Sequence, residues 1–343
     1  MIPVRPQIHL GLLRLADGLP VLVAERRGLY REAGLDVRLH VEPSWSNVAD
    51  KLAFGGLDAA VMLPSLALAV AAGLRGPPTP FLVPMVLSTG GNGIVLGHEA
   101  ASATGPAGVP MEAAQRFARW VKRQPEPPRL AVVHAFSTHA LLLRDWLASG
   151  GADPDRDVEL VAVPPTEVVA ALAGGKIAGF CAGPPWGDEA AMRGVGRLVL
   201  GTGQIRPGHM EKCLAVRRDW DRGRDDALAR LLDALRAAQA LCDEDGEAAA
   251  HAALLAGPPL LLPEEATAAA LRGERCERPR FGAAWAETPP RDAVWYAEQL
   301  WRWGWIERSD LDPHGLARLI FDRDPDLVRR GEAILPKSSP FSA

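Results

Sequence analysis

Two short polar stretches in the middle of the chain carry residue types that could bind a ligand. One is Ser137-Thr138-His139, and the other is His209-Met210-Glu211-Lys212. Each lies where an apolar, strand-like run meets a polar turn, which is a common place for binding groups in an open α/β sheet. Together they offer hydroxyls, two imidazoles and one ammonium, without a nucleophile–base pair. They predict a pocket for a small anion.

Each stretch also has a purely structural interpretation. Ser137 opens a predicted helix, where free N–H groups and the positive end of the helix dipole favour an anion, but it could act only as an N-cap. His139 could then be a partly buried polar side chain. Lys212 begins an apolar run, so it could be solvated, or it could neutralise a monovalent anion inside a closed cleft. Both interpretations remain open.

Two other features could contribute to a site. Trp45 precedes a predicted helix and could cover the first core layer or form a flat wall against a planar ligand. Gly90-Gly91-Asn92-Gly93 lies between two strand-like runs and does not match the G-x-G-x-x-G pattern. It is either an ordinary turn or a loop whose glycines allow close approach of a ligand to the backbone.

The remaining motifs argue against an enzyme. The 343 residues contain no G-x-S-x-G elbow, no Walker A loop and no H-E-x-x-H pair. The four cysteines form no C-x-x-C pair, which favours free thiols and predicts neither a metal nor a cofactor. A net charge of −4 without a long basic run predicts no direct nucleic-acid contact.

The beginning of the sequence has no charged segment followed by an apolar run and a cleavage site. No stretch reaches about 18 uninterrupted apolar residues, so no membrane insertion is expected. These patterns predict a cytoplasmic protein.

Strand-like and helix-like runs alternate through most of the chain, which predicts parallel sheets with right-handed crossovers. The expected fold is α/β, with two lobes and chain crossings near residues 97–110 and 212–220. Lobe 1 would comprise residues 1–97 and 218–343, including a mostly helical C-terminal part, and lobe 2 would comprise residues 98–217. A tryptophan-rich segment from Trp295 to Trp305 is interpreted as core packing, with a partner surface as the alternative.

Four segments carry a specific resemblance when they are taken in order. They are EPSWSNVADKLAFGGLDAAVML, AFSTHALLLRDWLASGG, GFCAGPPWGDEAA and GHMEKCLAV. The chain resembles the nitrate/bicarbonate-binding family, the solute-binding proteins of cyanobacterial ABC importers, which also includes cytoplasmic nitrate sensors. The resemblance implies a periplasmic-binding-protein fold of type II that holds one planar oxyanion between its lobes, without catalysis.

The resemblance also implies roles for individual residues. Trp45 would form the wall of the site, Asn92 would supply an amide after Gly91, His139 would match the family histidine, and Lys212 the family lysine. One cation, a few donors and a flat apolar wall suit nitrate, which offers three acceptor oxygens and one negative charge.

This chain departs from the family in two ways. It has Gly183-Pro184-Pro185-Trp186 where the family often has G-E-P-W, and the missing carboxylate weakens a bicarbonate or metal-assisted interpretation more than a nitrate one. The missing secretion signal indicates the cytoplasmic sensor branch, in which nitrate or nitrite releases an RNA-binding antiterminator of the ANTAR response-regulator type.

Two alternatives remain. The first is the extracytoplasmic substrate-binding component of a nitrate/bicarbonate-type ABC importer. The second is an enzyme on the same fold, similar to pyrimidine synthases, which would need a cysteine or histidine cluster for iron. The scattered cysteines argue against the enzyme.

Overall fold

The structure is a computed structural model that describes residues 5–105, 108–220, 226–244, 246–282, 289–307 and 312–321. Its strands are β1 (Gln7–Leu12), β2 (Asp36–Val41), β3 (Ala59–Met62), β4 (Phe81–Thr89), β5 (Gly93–Leu96), β6 (Arg129–Val132), β7 (Glu159–Ala162), β8 (Gly179–Ala182), β9 (Arg197–Gly201) and β10 (Met210–Arg217). Short 3₁₀ helices span Ala16–Gly18, Pro165–Glu167 and Thr202–Gln204.

The helices occupy most connections between strands and nearly all of the C-terminal part. They are α1 (Leu19–Arg26), α2 (Leu29–Glu32), α3 (Trp45–Ala53), α4 (Pro64–Ala71), α5 (His98–Thr104), α6 (Pro110–Val121), α7 (Thr138–Ser149), α8 (Val168–Ala173), α9 (Trp186–Met192), α10 (Ala227–Cys242), α11 (Ala248–Ala256), α12 (Glu264–Arg272), α13 (Pro289–Arg302) and α14 (Pro313–Phe321). None of these described helices combines the length and apolar character that a membrane span requires.

The strands form two five-stranded sheets, one in each lobe. The strand order is β2-β1-β3-β10-β4 in the first sheet and β7-β6-β8-β5-β9 in the second. In both sheets three neighbouring strands are parallel, and the strand that arrives from the other lobe, β10 or β5, pairs antiparallel with both of its neighbours. The predicted two-lobed α/β fold is confirmed.

Two strands belong to a different lobe than the predicted residue ranges imply. β5 lies within the range expected for lobe 1 but pairs with β8 and β9 of the second sheet. β10 lies within the range expected for lobe 2 but pairs with β3 and β4 of the first sheet. The chain therefore crosses at residues 90–92 and 202–209, and not near 97–110 and 212–220.

The small-residue stretch predicted as the first crossing is mostly helical. Its residues form α5, which packs on α6, β5 and β9 inside lobe 2. Alanine is the strongest helix former, and this outweighs the local signals for a loop. The final 22 residues of the range predicted for lobe 1, 322–343, lie outside the described residues.

The helices after β10 pack mainly on lobe 1. Helix α10 lies against α1, α2 and β4, while α14 lies against α4 and β4. Trp305 is buried and Trp295, Trp301 and Trp303 are partly buried against the main core, so the tryptophan-rich segment contributes to packing. Helix α12 also contacts α9 of lobe 2.

Candidate functional site

Lys212 is fully buried near the beginning of β10, a central strand of the first sheet. Adjacent side chains of a regular strand point to opposite faces. Here the pairing of β10 with β4 changes register on both sides of Lys212, and a β-bulge of this kind can redirect a side chain. As a result Lys212 Nζ donates a hydrogen bond to Oε1 of its own neighbour, Glu211, at 2.5 Å.

A second carboxyl group approaches the same ammonium. Asp17 Oδ2 lies 3.2 Å from Lys212 Nζ, and Asp17 Oδ1 accepts a 2.8 Å hydrogen bond from Ser88 Oγ. Burial by itself lowers the pKa of Lys212, but Asp17 and Glu211 outweigh it and raise the pKa above the usual value. Lys212 is therefore a permanent buried cation, and the interpretation of Lys212 as a solvated residue is wrong.

Glu211 connects this pair to the first crossing. Its Oε2 accepts a 2.6 Å hydrogen bond from Asn92 Nδ2, and both side chains are fully buried. Burial raises the pKa of Glu211 to about 7, Lys212 opposes this rise, and Asp17 adds to it. This carboxyl group can therefore change its charge near neutral pH.

The amino end of α7 brings His139 to the same place. Ser137 is the N-cap, since its Oγ accepts the Ala140 N–H at 3.0 Å. His139 is fully buried, and its Nε2 lies 3.4 Å from Glu211 Oε1. Burial lowers the pKa of His139 well below the usual value, with further lowering by Lys212 and His209, so the ring is neutral.

Trp45 is the first residue of α3, and Ser44 caps that helix by accepting the Asn47 N–H. The indole ring is 1% exposed, and Lys212 Nζ lies 5.6 Å from the ring centroid, within the range of a cation–π contact. The ring is therefore part of the core, as one interpretation predicted, and it lies beside Lys212, while its role as a wall against a ligand stays a prediction.

Several buried polar atoms around Lys212 have no hydrogen-bond partner among the described residues. They are Trp45 Nε1, Asn92 Oδ1 and both ring nitrogens of His139. Most buried polar groups in proteins are paired, so a cluster of unpaired ones calls for an explanation. Indole N–H, one imidazole N–H and an ammonium are donors that suit an oxyanion.

The structure thus brings together four of the five predicted residues, Trp45, Asn92, His139 and Lys212. Gly91 differs, since its N–H donates to Glu277 Oε1 at 3.4 Å. Its φ of +83° and the contact of a hypothetical Cβ with Pro279 explain why this turn needs glycine. A binding role for these residues stays a prediction.

Two residues around Lys212 were missed or misread from the sequence. Asp17 was not among the predicted site residues, but its side chain lies 3.2 Å from Lys212 Nζ. His209 belongs to one of the two stretches predicted to form the pocket but was given no role of its own. Its Nε2 lies 2.8 Å from Thr202 Oγ1, and its Nδ1 lies 3.6 Å from Glu211 Oε2. The position of Asp17 after the carboxyl end of β1 was the available signal.

The Gly183-Pro184-Pro185-Trp186 motif lies beside the carboxyl group of Asp17. The Pro184 carbonyl accepts the Ala16 N–H at 2.9 Å, which joins this motif of lobe 2 to the turn carrying Asp17. A Cβ on Gly183 would lie 3.1 Å from Asp17 Oδ2 and 3.4 Å from Asn92 Oδ1. Position 184 supplies no carboxyl group, and the two carboxyl groups beside Lys212 come from Asp17 and Glu211.

The arrangement favours binding over catalysis. Within the described ranges, no three histidine, cysteine or acidic side chains cluster closely enough to hold a metal. Burial raises the pKa of the Cys181 thiol, and burial lowers the pKa of His209 to about 4. What the cluster offers is a permanent cation, neutral donors and an aromatic wall between two lobes.

Comparison with known proteins agrees with this fold. The nitrate/nitrite binding protein NrtA of Synechocystis sp. is 33% identical over 243 residues, which are 68% of this chain and 53% of that protein. The bicarbonate-binding protein CmpA of Synechococcus sp. is 30% identical over 258 residues, 73% of this chain and 57% of that protein. This chain spans between 35% and 57% of the length of the curated relatives it matches.

A crystal structure of the periplasmic nitrate-binding protein NrtA from Synechocystis PCC 6803 superposes with a TM-score of 0.85. The two chains are 26% identical, and the match covers 97% of this chain and 90% of the other. These relatives are named as binding proteins and not as enzymes, in agreement with the predicted non-enzymatic role. A family model matches residues 3–256, so the chain belongs to the NMT1-like family and has the solute-binding fold of its nitrate- and bicarbonate-binding relatives.

Proposed function

We propose that this chain binds nitrate or nitrite between its two lobes. The observation that carries the proposal is the buried Lys212 ammonium surrounded by donors without partners, on elements from both lobes. Lys212 and Trp45 belong to the first lobe, His139 begins a helix of the second, and Asn92 lies at a crossing. A ligand held in this way would favour the closed arrangement of the lobes.

The test is a titration of the full chain with sodium nitrate, sodium nitrite and sodium chloride, followed by calorimetry and tryptophan fluorescence. Saturable binding of nitrate or nitrite is expected, with much weaker binding of chloride. Nitrate and nitrite can place separate oxygens against separate donors, whereas chloride is a single spherical ion without oxygens. Absence of saturable binding of both oxyanions would refute the proposal.

Bicarbonate is a second candidate ligand, favoured by one specific observation. Asn92 Oδ1 is a buried acceptor without a hydrogen-bond partner in the described part of the chain, and its amide nitrogen is committed to Glu211. Nitrate has no proton to donate to this oxygen, whereas bicarbonate has one. Tighter binding of bicarbonate than of nitrate at the same pH would favour this ligand.

We further propose that the protein is a cytoplasmic nitrate/nitrite sensor that controls an ANTAR-type antiterminator. The resemblance of its sequence motifs to a family that includes cytoplasmic nitrate sensors supports this role, and closure of two lobes could alter a surface that a partner contacts. Affinity capture of the partner from cell extract should succeed without nitrate and fail with it. Capture that does not respond to nitrate would contradict the sensor role.

The alternative is the substrate-binding component of a nitrate/bicarbonate-type importer, which the names of the relatives support. Fractionation of cells that express the tagged, full-length native gene separates the two roles. Recovery outside the cytoplasmic membrane would favour the importer component, and recovery in the cytoplasm would favour the sensor.

A further inference from the structure

The charges around Lys212 do not favour an anion as they stand. Two carboxyl groups, of Asp17 and Glu211, share one ammonium, and all three side chains are at most 1% exposed. With both carboxyl groups ionised, the cluster has a net charge of −1 before any ligand enters. A monovalent oxyanion would double that charge in a site without solvent, which is strongly unfavourable.

The other titratable groups that face Glu211 do not supply compensating charge. His139 and His209 are buried, and burial lowers the pKa of both rings, so they remain neutral at pH 7. Burial raises the pKa of Cys181 on β8, of Cys213 on β10 and of Tyr296 on α13, so these groups also remain neutral. The charge of the cluster therefore depends on its two carboxyl groups.

We propose that Glu211 takes up one proton when the anion enters the site, so that nitrate or nitrite binds together with a proton. This inference rests on the proposed function. When Glu211 is protonated, the charges of Lys212 and Asp17 cancel and the cluster is neutral before the ligand enters. The ammonium can then attract the anion as well as Asp17. Glu211 thus determines that the site accepts a monovalent anion.

The geometry also provides a place for the proton. Glu211 Oε2 accepts from Asn92, and Oε1 accepts from Lys212 Nζ at 2.5 Å. Oε1 also lies 3.4 Å from His139 Nε2, a nitrogen without a hydrogen-bond partner among the described residues, so a proton on Oε1 would weaken the bond to Lys212 and face this nitrogen. A proton on Oε1 can be donated to Nε2, which leaves the proton of the neutral imidazole on Nδ1 as a donor for the ligand. Burial raises the pKa of Glu211 to about 7, which makes the uptake possible near neutral pH.

The experiment is calorimetric titration of the full chain with sodium nitrate between pH 6 and pH 9. At each pH two buffers that differ in ionisation enthalpy are used, so that the difference in heat counts the protons taken up. About half a proton per nitrate is expected at pH 7 and nearly one at pH 8, with a Kd that rises about tenfold per pH unit above pH 8. The exposed Glu298 provides the control variant Glu298→Gln, which should behave as the wild type.

The variant Glu211→Gln should bind nitrate without proton uptake and with a Kd independent of pH. Heat that is independent of buffer in the wild type, together with a flat Kd, would overturn the proton proposal and leave nitrate binding intact. Uptake that persists in Glu211→Gln would place the proton elsewhere and also overturn it. Absence of nitrate binding at every pH would instead refute the proposed function.

A second measurement does not depend on the variant. Infrared difference spectra of the wild type with and without nitrate should show the C=O stretching band of a newly protonated carboxyl group in the nitrate-bound form. A nitrate-saturated sample at pH 8 that gains no such band would contradict the proposal.

Discussion

Removal of the Lys212 charge should weaken nitrate binding more than any other single change in the cluster. Lys212→Met keeps an unbranched apolar stem of similar length but leaves Asp17 and Glu211 without their shared cation. Truncation of one partner of a buried, hydrogen-bonded charge pair costs about 2–5 kcal/mol of binding. Since about 1.4 kcal/mol corresponds to a tenfold change, Kd should rise by about 30-fold to about 4,000-fold.

The same change should reduce the free energy of unfolding, because two buried carboxyl groups lose their counter-ion. Breaking a buried ion pair from one side costs about 3–5 kcal/mol. Part of this loss should disappear in acid, where Glu211 is protonated in the folded protein. Urea unfolding at pH 7.5 and pH 5 measures the difference.

Calorimetry and tryptophan fluorescence measure the nitrate affinity, and circular dichroism checks that the variant is folded. The matched control is Lys122→Met at the exposed end of α6, which removes the same charge far from the cluster and should leave Kd unchanged. A folded Lys212→Met protein with the wild-type Kd would refute the assignment of Lys212 to the anion site.

Three other predictions concern the support of the site. Ser137→Ala removes the cap of α7 and should lower the free energy of unfolding by about 1 kcal/mol; an unchanged midpoint in urea would contradict this role. Gly150→Ala at the end of α7 places a Cβ 2.3 Å from the backbone carbonyl carbon of Ala114 in α6 and should cost about 1–3 kcal/mol, whereas Gly108→Ala, where a Cβ meets no described residue within 4 Å, should not; equal urea midpoints for the two variants would contradict the clash. Because the folded-state pKa of Glu211 is raised from 4.5 to about 7, its contribution to stability is complete below pH 4.5 and is lost as the pH rises through 7. Glu211→Gln should therefore gain about 1.4 kcal/mol relative to wild type for each pH unit between 4.5 and 7, and a constant difference across this range would refute the shift.

The crossings show how local patterns and tertiary pairing can disagree. A stretch with two prolines and three glycines near residues 97–110 has the composition of a linker, yet half of it, His98–Thr104, forms α5. The actual first crossing is the short Gly90-Gly91-Asn92 turn, where Gly91 at a φ of +83° packs against Pro279 from a distant part of the chain. The local sequence does not distinguish such a crossing from a hairpin turn. The difference depends on which strands β4 and β5 pair with, and that pairing is decided by distant parts of the chain.

Several features of this protein follow from its sequence alone. The alternation of strands and helices determined the two-lobed α/β fold, since hydrophobic periodicity decides which face each element buries. The Ser137 and Ser44 caps follow from local hydrogen bonding. The residue types Trp45, Asn92, His139 and Lys212 indicated an anion site because each offers a donor, a charge or a flat surface.

Only the tertiary structure determined the charge of that site. Asp17 and Lys212 are 195 positions apart, and the register change in β10 that turns Glu211 toward Lys212 depends on pairing with β4. Long-range pairing brings two carboxyl groups to one ammonium, and burial of Glu211 raises its pKa to about 7 although Lys212 opposes the rise. Desolvation depends on what surrounds a group in three dimensions, so the sequence could name the cation but not the proton expected to accompany its ligand.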